Sequence, residues 1–97
     1  MPSYVMLAKF TDQGIRNIKE SPKRQEAFRN LCEKANVKLK DVYRTMGRYD
    51  VVAVLEAPDD VTVSAMLYSL GALGNLHTET LRAFTREETD KAIAKMA

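Results

Sequence analysis

The sequence has little of several residue types on which common functional sites depend. It contains one cysteine, Cys32, one histidine, His77, and no tryptophan. A single cysteine forms no internal disulfide, and one cysteine with one histidine does not supply the four ligands of a structural zinc site. No dinucleotide-binding glycine pattern, phosphate-binding loop or nucleophile elbow is present. We therefore expect no bound metal, no cofactor and a reducing, cytoplasmic location.

Long hydrophobic runs are absent as well. The longest uncharged run, Val61 to Thr78, includes hydroxyl, amide and glycine residues and is too polar to span a bilayer. The start, Met1-Pro2-Ser3, lacks the basic region of a secretory signal. With 97 residues, 45% hydrophobic and 29% charged, the composition predicts one globular domain over residues 1–97.

The charge is unevenly distributed along the chain. Residues 1–50 carry 11 basic and 6 acidic residues, whereas the net charge of the whole chain is +2. The basic excess, between Arg16 and Lys40, indicates either a surface for anions or nucleic acid, or a solvated helix face. We favour the solvated face, because Glu20, Glu26 and Glu33 interrupt the basic residues and no aromatic pattern accompanies them.

Four segments have the pattern of β-strands. Ser3–Phe10 and Tyr49–Ala57 are almost continuously apolar, which is typical of strands covered on both faces. Val37–Met46 and Leu76–Phe84 mix charged and apolar residues, which is typical of edge strands. Gly47 permits a tight connection between the second and third strands.

The first gap between strands has helical spacing. Thr11 or Asp12 caps its start, and Pro22 kinks the helix or restarts it with Ser21 as a new cap. Cys32 lies on the apolar stripe that follows. We interpret it as a small core residue and not as a nucleophile.

Two more helices are predicted towards the carboxyl terminus. Asp59 and Asp60 cap the first of them, and Gly71 and Gly74 allow it to end in left-handed geometry. The segment from Thr85 to Glu88 matches a capping box and predicts a short tail helix.

This order of elements, βαββαβ with a C-terminal helix, predicts an α+β fold of the ferredoxin-like type. Its four-stranded antiparallel sheet has the first and third strands at the centre. Two helices cover only one face of such a sheet, and the short tail helix covers only part of the other. We therefore expect a homodimer, or a higher even oligomer, that forms through the sheet face.

Four stretches of the chain resemble the GYD domain family of small bacterial and archaeal proteins. They are Tyr4–Gly14, Gly47–Asp50, Glu56–Asp60 and Gly74–Phe84. The resemblance implies a dimeric α+β barrel, in which two ferredoxin-like sheets pack face to face. Proteins of that architecture include isomerases, cofactor-free monooxygenases, haem-handling enzymes and ligand-sensing modules, so the fold alone implies no single activity.

Three residues are candidates for catalysis. Asp50 is either a general base or ligand anchor, or a turn residue that binds backbone amides near Gly47. Tyr49 either donates its hydroxyl into a cleft or packs on the sheet. His77 is either a base or an ordinary packed histidine. A direct bond between His77 and Asp50 is not expected, because their strands lie about 9.6 Å apart on either side of the first strand.

Three further residues are candidates for ligand binding: Tyr43, Thr80 and Arg82. Thr80 and Arg82 continue a polar stripe along the fourth strand, which suits a small anionic or aromatic ligand. Lys9, near the end of the neighbouring strand, is expected to join that stripe. Alternatively, Arg82 pairs with an acidic residue of a second chain.

Three functions remain open from the sequence. The first is a small-molecule-binding or enzymatic protein with its site in the sheet cleft. The second is a non-catalytic assembly or regulatory module, with the fourth strand and tail helix as a subunit interface. The weakest is single-stranded RNA binding, because the third strand is aliphatic after Tyr49 and the basic-glycine-aromatic signature is missing.

Overall fold

A computed structural model describes residues 1–97. A 3-10 turn, Ile18–Glu20, precedes α2. The strands and helices in chain order are β1 (Ser3–Phe10), α1 (Asp12–Arg16), α2 (Ser21–Lys34), β2 (Lys38–Arg44), β3 (Val51–Glu56), α3 (Asp60–Ala72), β4 (Leu76–Ala83) and α4 (Arg86–Ala94). The strand order is β2-β3-β1-β4, and all neighbouring strands are antiparallel. The predicted α+β topology, with the first and third strands at the centre, is confirmed.

The two faces of the sheet differ in burial. Successive strand residues point to opposite faces, and on β1 the residues Tyr4, Met6 and Ala8 are buried while Val5 and Leu7 are half-buried. Strand β3 repeats the pattern, with its buried residues beginning at Val51. Helices α2 and α3 therefore cover one face, which we call the helix face. The other we call the open face.

The core lies between the helix face and these two helices. It consists of Tyr4, Met6, Ala8, Phe28, Cys32, Val37, Val51, Ala53, Leu55, Ala57, Val63, Met66 and Leu70. Cys32 is 1% exposed, which confirms it as a core residue. Burial raises the pKa of its thiol to about 11, so the thiolate needed for nucleophilic chemistry is scarce near neutral pH.

The helix starts follow the predicted caps with one exception. Thr11 and Asp59 cap α1 and α3, and Thr85 forms the full capping box with Glu88 at the start of α4. Ser21 is not the cap of α2, because the 3-10 turn brings the chain into helical geometry one residue earlier. Its hydroxyl instead accepts a hydrogen bond from Arg44.

The end of α3 departs from the prediction at one of its two glycines. Gly71 lies inside α3, and only Gly74 adopts a positive φ, of 82°. The chain therefore turns once, at Gly74, before β4 begins. This turn sets where Asn75 meets the start of α1.

Helix α1 is joined to the loop before β4. The Thr11 amide donates to the Asn75 carbonyl at 3.0 Å, and the Thr11 hydroxyl donates to the Gly74 carbonyl at 2.6 Å. A Cβ atom at Gly14 would overlap the Asn75 carbonyl oxygen. Two of the four stretches that carry the family resemblance thus meet at this contact, where they position backbone.

Helix α4 projects from the body of the molecule. None of its residues is buried: Ile93 is 58% exposed, and Met96, two residues beyond the helix, is 74% exposed. The radius of gyration is 14.7 Å, against about 12.5 Å for a compact chain of this length. None of the helices combines the length and apolar character needed to cross a membrane.

Candidate binding surfaces on the two sides of the sheet

The open face has an apolar centre. Strand register places Val5 between Val54 and Leu81, and it places Leu7 beside Val52. On the outer strands, Leu81 is 49% exposed and Tyr43 is 56% exposed. Together these side chains form one apolar patch that no element of this chain covers. The patch consists of Val5, Leu7, Tyr43, Val52, Val54 and Leu81.

Polar groups close one end of the open face. The Tyr49 hydroxyl donates a 2.7 Å hydrogen bond to Glu79, and this bond raises the pKa of Tyr49. The Lys9 ammonium lies 5.6 Å from the centre of the Tyr49 ring. His77 is exposed and lies opposite Lys9 in the strand register. Tyr49, Glu79, Lys9 and His77 thus form a polar cluster beside the apolar patch.

The other end of the open face carries an ion pair. The Lys40 ammonium and the Glu56 carboxylate lie 3.3 Å apart. Lys40 sits at an irregularity in the pairing of β2 with β3, between Leu39 and Asp41. Each end of the apolar patch therefore has both a basic and an acidic side chain.

Asp50 is engaged with the backbone of the sheet. Its carboxylate accepts a 2.9 Å hydrogen bond from the Phe10 amide, and its own amide donates to the Ala8 carbonyl at 2.8 Å. Its carbonyl accepts from the Thr45 amide at 3.0 Å. The carboxylate therefore satisfies the last amide of β1, which is a more distant partner than the amides near Gly47 that the sequence suggested.

The remaining candidates lie on the helix face. Thr80 and Arg82 line a groove of about 780 Å³ between β4 and α3. The Arg82 guanidinium pairs with Glu88 of the same chain at 3.2 Å and lies 4.5 Å from the Phe84 ring. The expectation that Lys9 joins this stripe is wrong. Lys9 is one residue out of phase with Ala8 and so lies on the open face.

Two residues that line this groove, Tyr4 and Thr80, carry hydroxyl groups, and only one of these hydroxyls has a hydrogen-bond partner. Tyr4 donates a 2.5 Å hydrogen bond to the Asp60 carboxylate. Burial, together with that bond, raises the pKa of Tyr4 to about 12. The Thr80 hydroxyl is buried and has no hydrogen-bond partner. The groove thus holds a phenol that already donates to Asp60, and the Asp60 carboxylate and His77 are also part of its lining.

The predicted site residues fall into two groups. Tyr49 and His77 share a hollow of about 200 Å³ with Lys9 and Glu79, and Tyr43 lies farther along the open face. Thr80 and Arg82 line the groove on the helix face, and His77 at the edge of the sheet also borders that groove. No group of three or more histidine, cysteine, aspartate or glutamate side chains is arranged to hold a metal ion. The valines and leucines of the open face were not among the predicted site residues. The apolar character of both faces of the two central strands had nevertheless indicated that this face is covered.

The comparisons with known proteins agree with this fold. The GYD domain family matches residues 4–93. A protein of Thermus thermophilus is 33% identical over 84 residues, which are 86% of this chain and 88% of that protein. The relative is named glutamine synthetase and cystathionine beta-lyase binding protein. Because the family match covers almost the whole length of this chain, the chain belongs to the GYD domain family.

Proposed function

We propose that this protein is a homodimeric binding protein that holds another protein and performs no catalysis. Two copies pack their open faces together, as the sequence pattern predicts. The observation that carries the proposal is the apolar patch at the centre of the open face, which no part of the chain covers. Exposed apolar surface of this kind is typical of interaction sites.

The size of the open face suits a small dimer interface. Four strands of about seven residues span roughly 19 by 23 Å, which is about 440 Å² of flat area for each copy. Two stacked faces then bury about 900 Å² in total, without the additional area that protruding side chains contribute. This is close to the roughly 1,000 Å² above which specific interfaces are found.

The charges at the rim favour a second copy as the occupant. Lys9 and Glu79 lie at one end of the apolar patch, and Lys40 and Glu56 lie at the other. A copy related by a two-fold axis therefore meets both signs of charge at either end, whichever direction its strands run. A partner whose facing surface carries charges of only one sign would place like charges against each other at both ends of the patch.

The state of the candidate catalytic residues supports binding over catalysis. The Asp50 carboxylate is bonded to a backbone amide, and the Tyr49 hydroxyl is bonded to Glu79. The Cys32 thiol is buried with a raised pKa. The bond to Glu79 raises the pKa of Tyr49, so its hydroxyl stays protonated near neutral pH and is a weak nucleophile.

The partner proposed is an enzyme of the type for which the relative is named. The Thermus thermophilus protein is named for binding glutamine synthetase and cystathionine beta-lyase. We propose that this chain binds one of these two enzymes of its own organism. Ile93 on α4, and Met96 just beyond the helix, are exposed apolar side chains suited to this contact.

Light scattering after size exclusion tests the dimer. We expect twice the chain mass of 10.9 kDa, or an even multiple of it. Val54→Glu places a charge at the centre of the patch and is expected to give a monomer that retains the wild-type helix content. Val61→Glu is the matched control, because Val61 is exposed on α3 away from the sheet. A wild-type monomer, or a Val54→Glu dimer, contradicts the proposal.

Surface plasmon resonance with the two purified enzymes tests the partner. We expect the wild-type protein and Val61→Glu to bind one of them, and Ile93→Asp to bind it more weakly. If the dimer forms but neither enzyme binds, the partner is wrong while the dimer stands. The two parts of the proposal are therefore judged separately.

A further inference from the structure

A second cavity lies on the helix face, away from the groove beside β4. It is an apolar pocket of about 80 Å³ under α2, at the end of the sheet where β1 finishes. Met6, Phe28 and Leu70 line its inner part, and Phe10 stands at its mouth. None of the residues that the sequence predicted for a site lines it.

Two arginines share the mouth of this pocket. The guanidinium carbons of Arg24 and Arg44 lie 5.9 and 5.5 Å from the centre of the same Phe10 ring. They belong to α2 and β2 and are 20 residues apart in the chain. Both guanidiniums thus lie within about 6 Å of one ring, and the fold brings two positive charges that the sequence keeps separate to the lining of one pocket.

Both guanidinium groups are held in place by the chain. Arg24 donates to the carbonyl oxygens of Gly14 and Asn17 at 3.0 and 3.2 Å, and Arg44 donates to the Ser21 hydroxyl. A guanidinium has five N–H donors, so each retains donors for a ligand. These neutral acceptors fix the positions of the two groups without forming an ion pair.

Neither arginine has an acidic partner. No carboxylate oxygen lies within 4.0 Å of either guanidinium. The Asp50 carboxylate accepts from the Phe10 amide and stabilises the charge of Arg44 from beyond ion-pair distance. Burial and the neighbouring charge of Arg24 lower the pKa of Arg44. An anion between the two guanidiniums relieves this repulsion.

We propose that this pocket binds a short-chain organic carboxylate. The carboxylate lies between Arg24 and Arg44, and the aliphatic tail enters the apolar pocket. A planar carboxylate matches the fork of a guanidinium better than a bare spherical anion does. The site lies across the sheet from the open face, so it does not depend on dimer formation.

The volume sets the length of the tail. A cavity of about 150 Å³ holds benzene, so 80 Å³ suits an aliphatic tail of about three or four carbons. Each methylene that leaves water strengthens binding about fourfold. Valerate, with four carbons beyond its carboxylate, is therefore the probe, and acetate supplies the charge without the tail.

Two-dimensional amide NMR at constant ionic strength measures this binding. Valerate is expected to shift the amides of Phe10, Arg24 and Arg44 saturably. We expect its affinity to be at least tenfold higher than that of acetate or of 1-pentanol, which supplies a tail without the charge. Equal affinities for acetate and valerate indicate a simple basic patch, and no saturable shift indicates no site. Both results overturn the proposal.

Substitutions at the mouth test the arginines. Arg24→Gln and Arg44→Gln are each expected to weaken valerate binding about tenfold or more. Arg48→Gln is the control, because it removes the same charge from the exposed turn before β3. Unchanged affinity in both mouth variants contradicts the proposal.

A plug tests the pocket without altering charge. Ala27 lines the pocket yet is exposed on α2, so Ala27→Phe fills the space from outside with little risk to folding. Asn30→Phe, at another exposed position on α2, is its control. We expect valerate binding to be lost in Ala27→Phe and kept in Asn30→Phe. The Ala27→Phe variant tests the pocket even if an arginine variant fails to fold. Unchanged valerate binding in Ala27→Phe overturns the proposal.

Discussion

The Asp50 carboxylate accepts a 2.9 Å hydrogen bond from the backbone amide of Phe10. This contact joins the start of β3 to the end of β1, where the register of the two central strands finishes at Ala8 and Val51. A carboxylate that accepts a backbone amide forms one of the stronger classes of hydrogen bond. The acidic residue of the Gly47–Asp50 motif therefore has a structural role in this fold.

Removal of this contact is expected to destabilise the protein. Asp50→Ala leaves the Phe10 amide without its partner and should lower the free energy of unfolding by about 1 to 3 kcal/mol. Asp50→Asn keeps an oxygen acceptor and should lose less. Asp90→Ala, on exposed α4, should change stability by about 0.5 kcal/mol or less. Urea denaturation measures all three, and equal losses for Asp50→Ala and Asp90→Ala contradict this role.

The sheet topology was predictable because it follows from local pattern. Strands β1 and β3 are apolar at every position along most of their length, and only central strands with both faces covered require that. Caps such as Thr85 with Glu88 depend on residues three apart and were equally visible. These features need no knowledge of distant contacts.

The partners of the polar side chains were not predictable in the same way. Asp50 binds Phe10, 40 residues earlier, because β1 and β3 end side by side. The pocket arginines meet only because Phe10 stands between α2 and β2. Such contacts depend on the tertiary arrangement, which spacing along the sequence does not encode.

Gly14 is expected to tolerate no side chain. A Cβ atom there would overlap the Asn75 carbonyl oxygen, which is backbone and is held by the Thr11 amide. Gly14→Ala should therefore lower the free energy of unfolding by about 1 to 3 kcal/mol. Thermal unfolding followed by circular dichroism measures the change.

The matched control is the other glycine that lies within a helix. Gly71 is inside α3 with open space around it, so Gly71→Ala should raise stability by up to about 1 kcal/mol. Opposite signs for the two glycine substitutions are the expected result. A stabilising Gly14→Ala contradicts the contact with Asn75.

The Thr80 hydroxyl is expected to lower the free energy of unfolding. It is buried on the helix face beside Met6 and has no hydrogen-bond partner. Thr80→Val replaces the hydroxyl by a methyl group of similar shape and should raise the free energy of unfolding by about 1 kcal/mol. Thr80→Ser, which keeps the hydroxyl and loses the methyl, should lower it. A Thr80→Val variant less stable than wild type would show that the hydroxyl has a partner.

Tyr4 should make the stability of the fold sensitive to alkaline pH. Its pKa is raised from 10.0 to about 12 by burial and by the bond to Asp60, so the folded protein holds this proton more tightly than the unfolded chain. The stabilisation is complete below pH 10 and is lost as the pH rises from 10 to 12. Within this range it falls by at most about 1.4 kcal/mol per pH unit.

Tyr4→Phe isolates this effect, because it removes the ionisable hydroxyl and leaves the ring in the core. At pH 8 it should be less stable than wild type by about 1.5 kcal/mol, the usual contribution of a hydrogen bond to a charged group. As the pH rises above 10, the wild type should lose stability faster, and the difference should shrink. The two proteins differ in no other ionisable group, so the comparison isolates Tyr4. Urea midpoints at pH 8, 10 and 11 measure it, and parallel curves would mean that Tyr4 ionises as readily in the folded protein as in the unfolded chain.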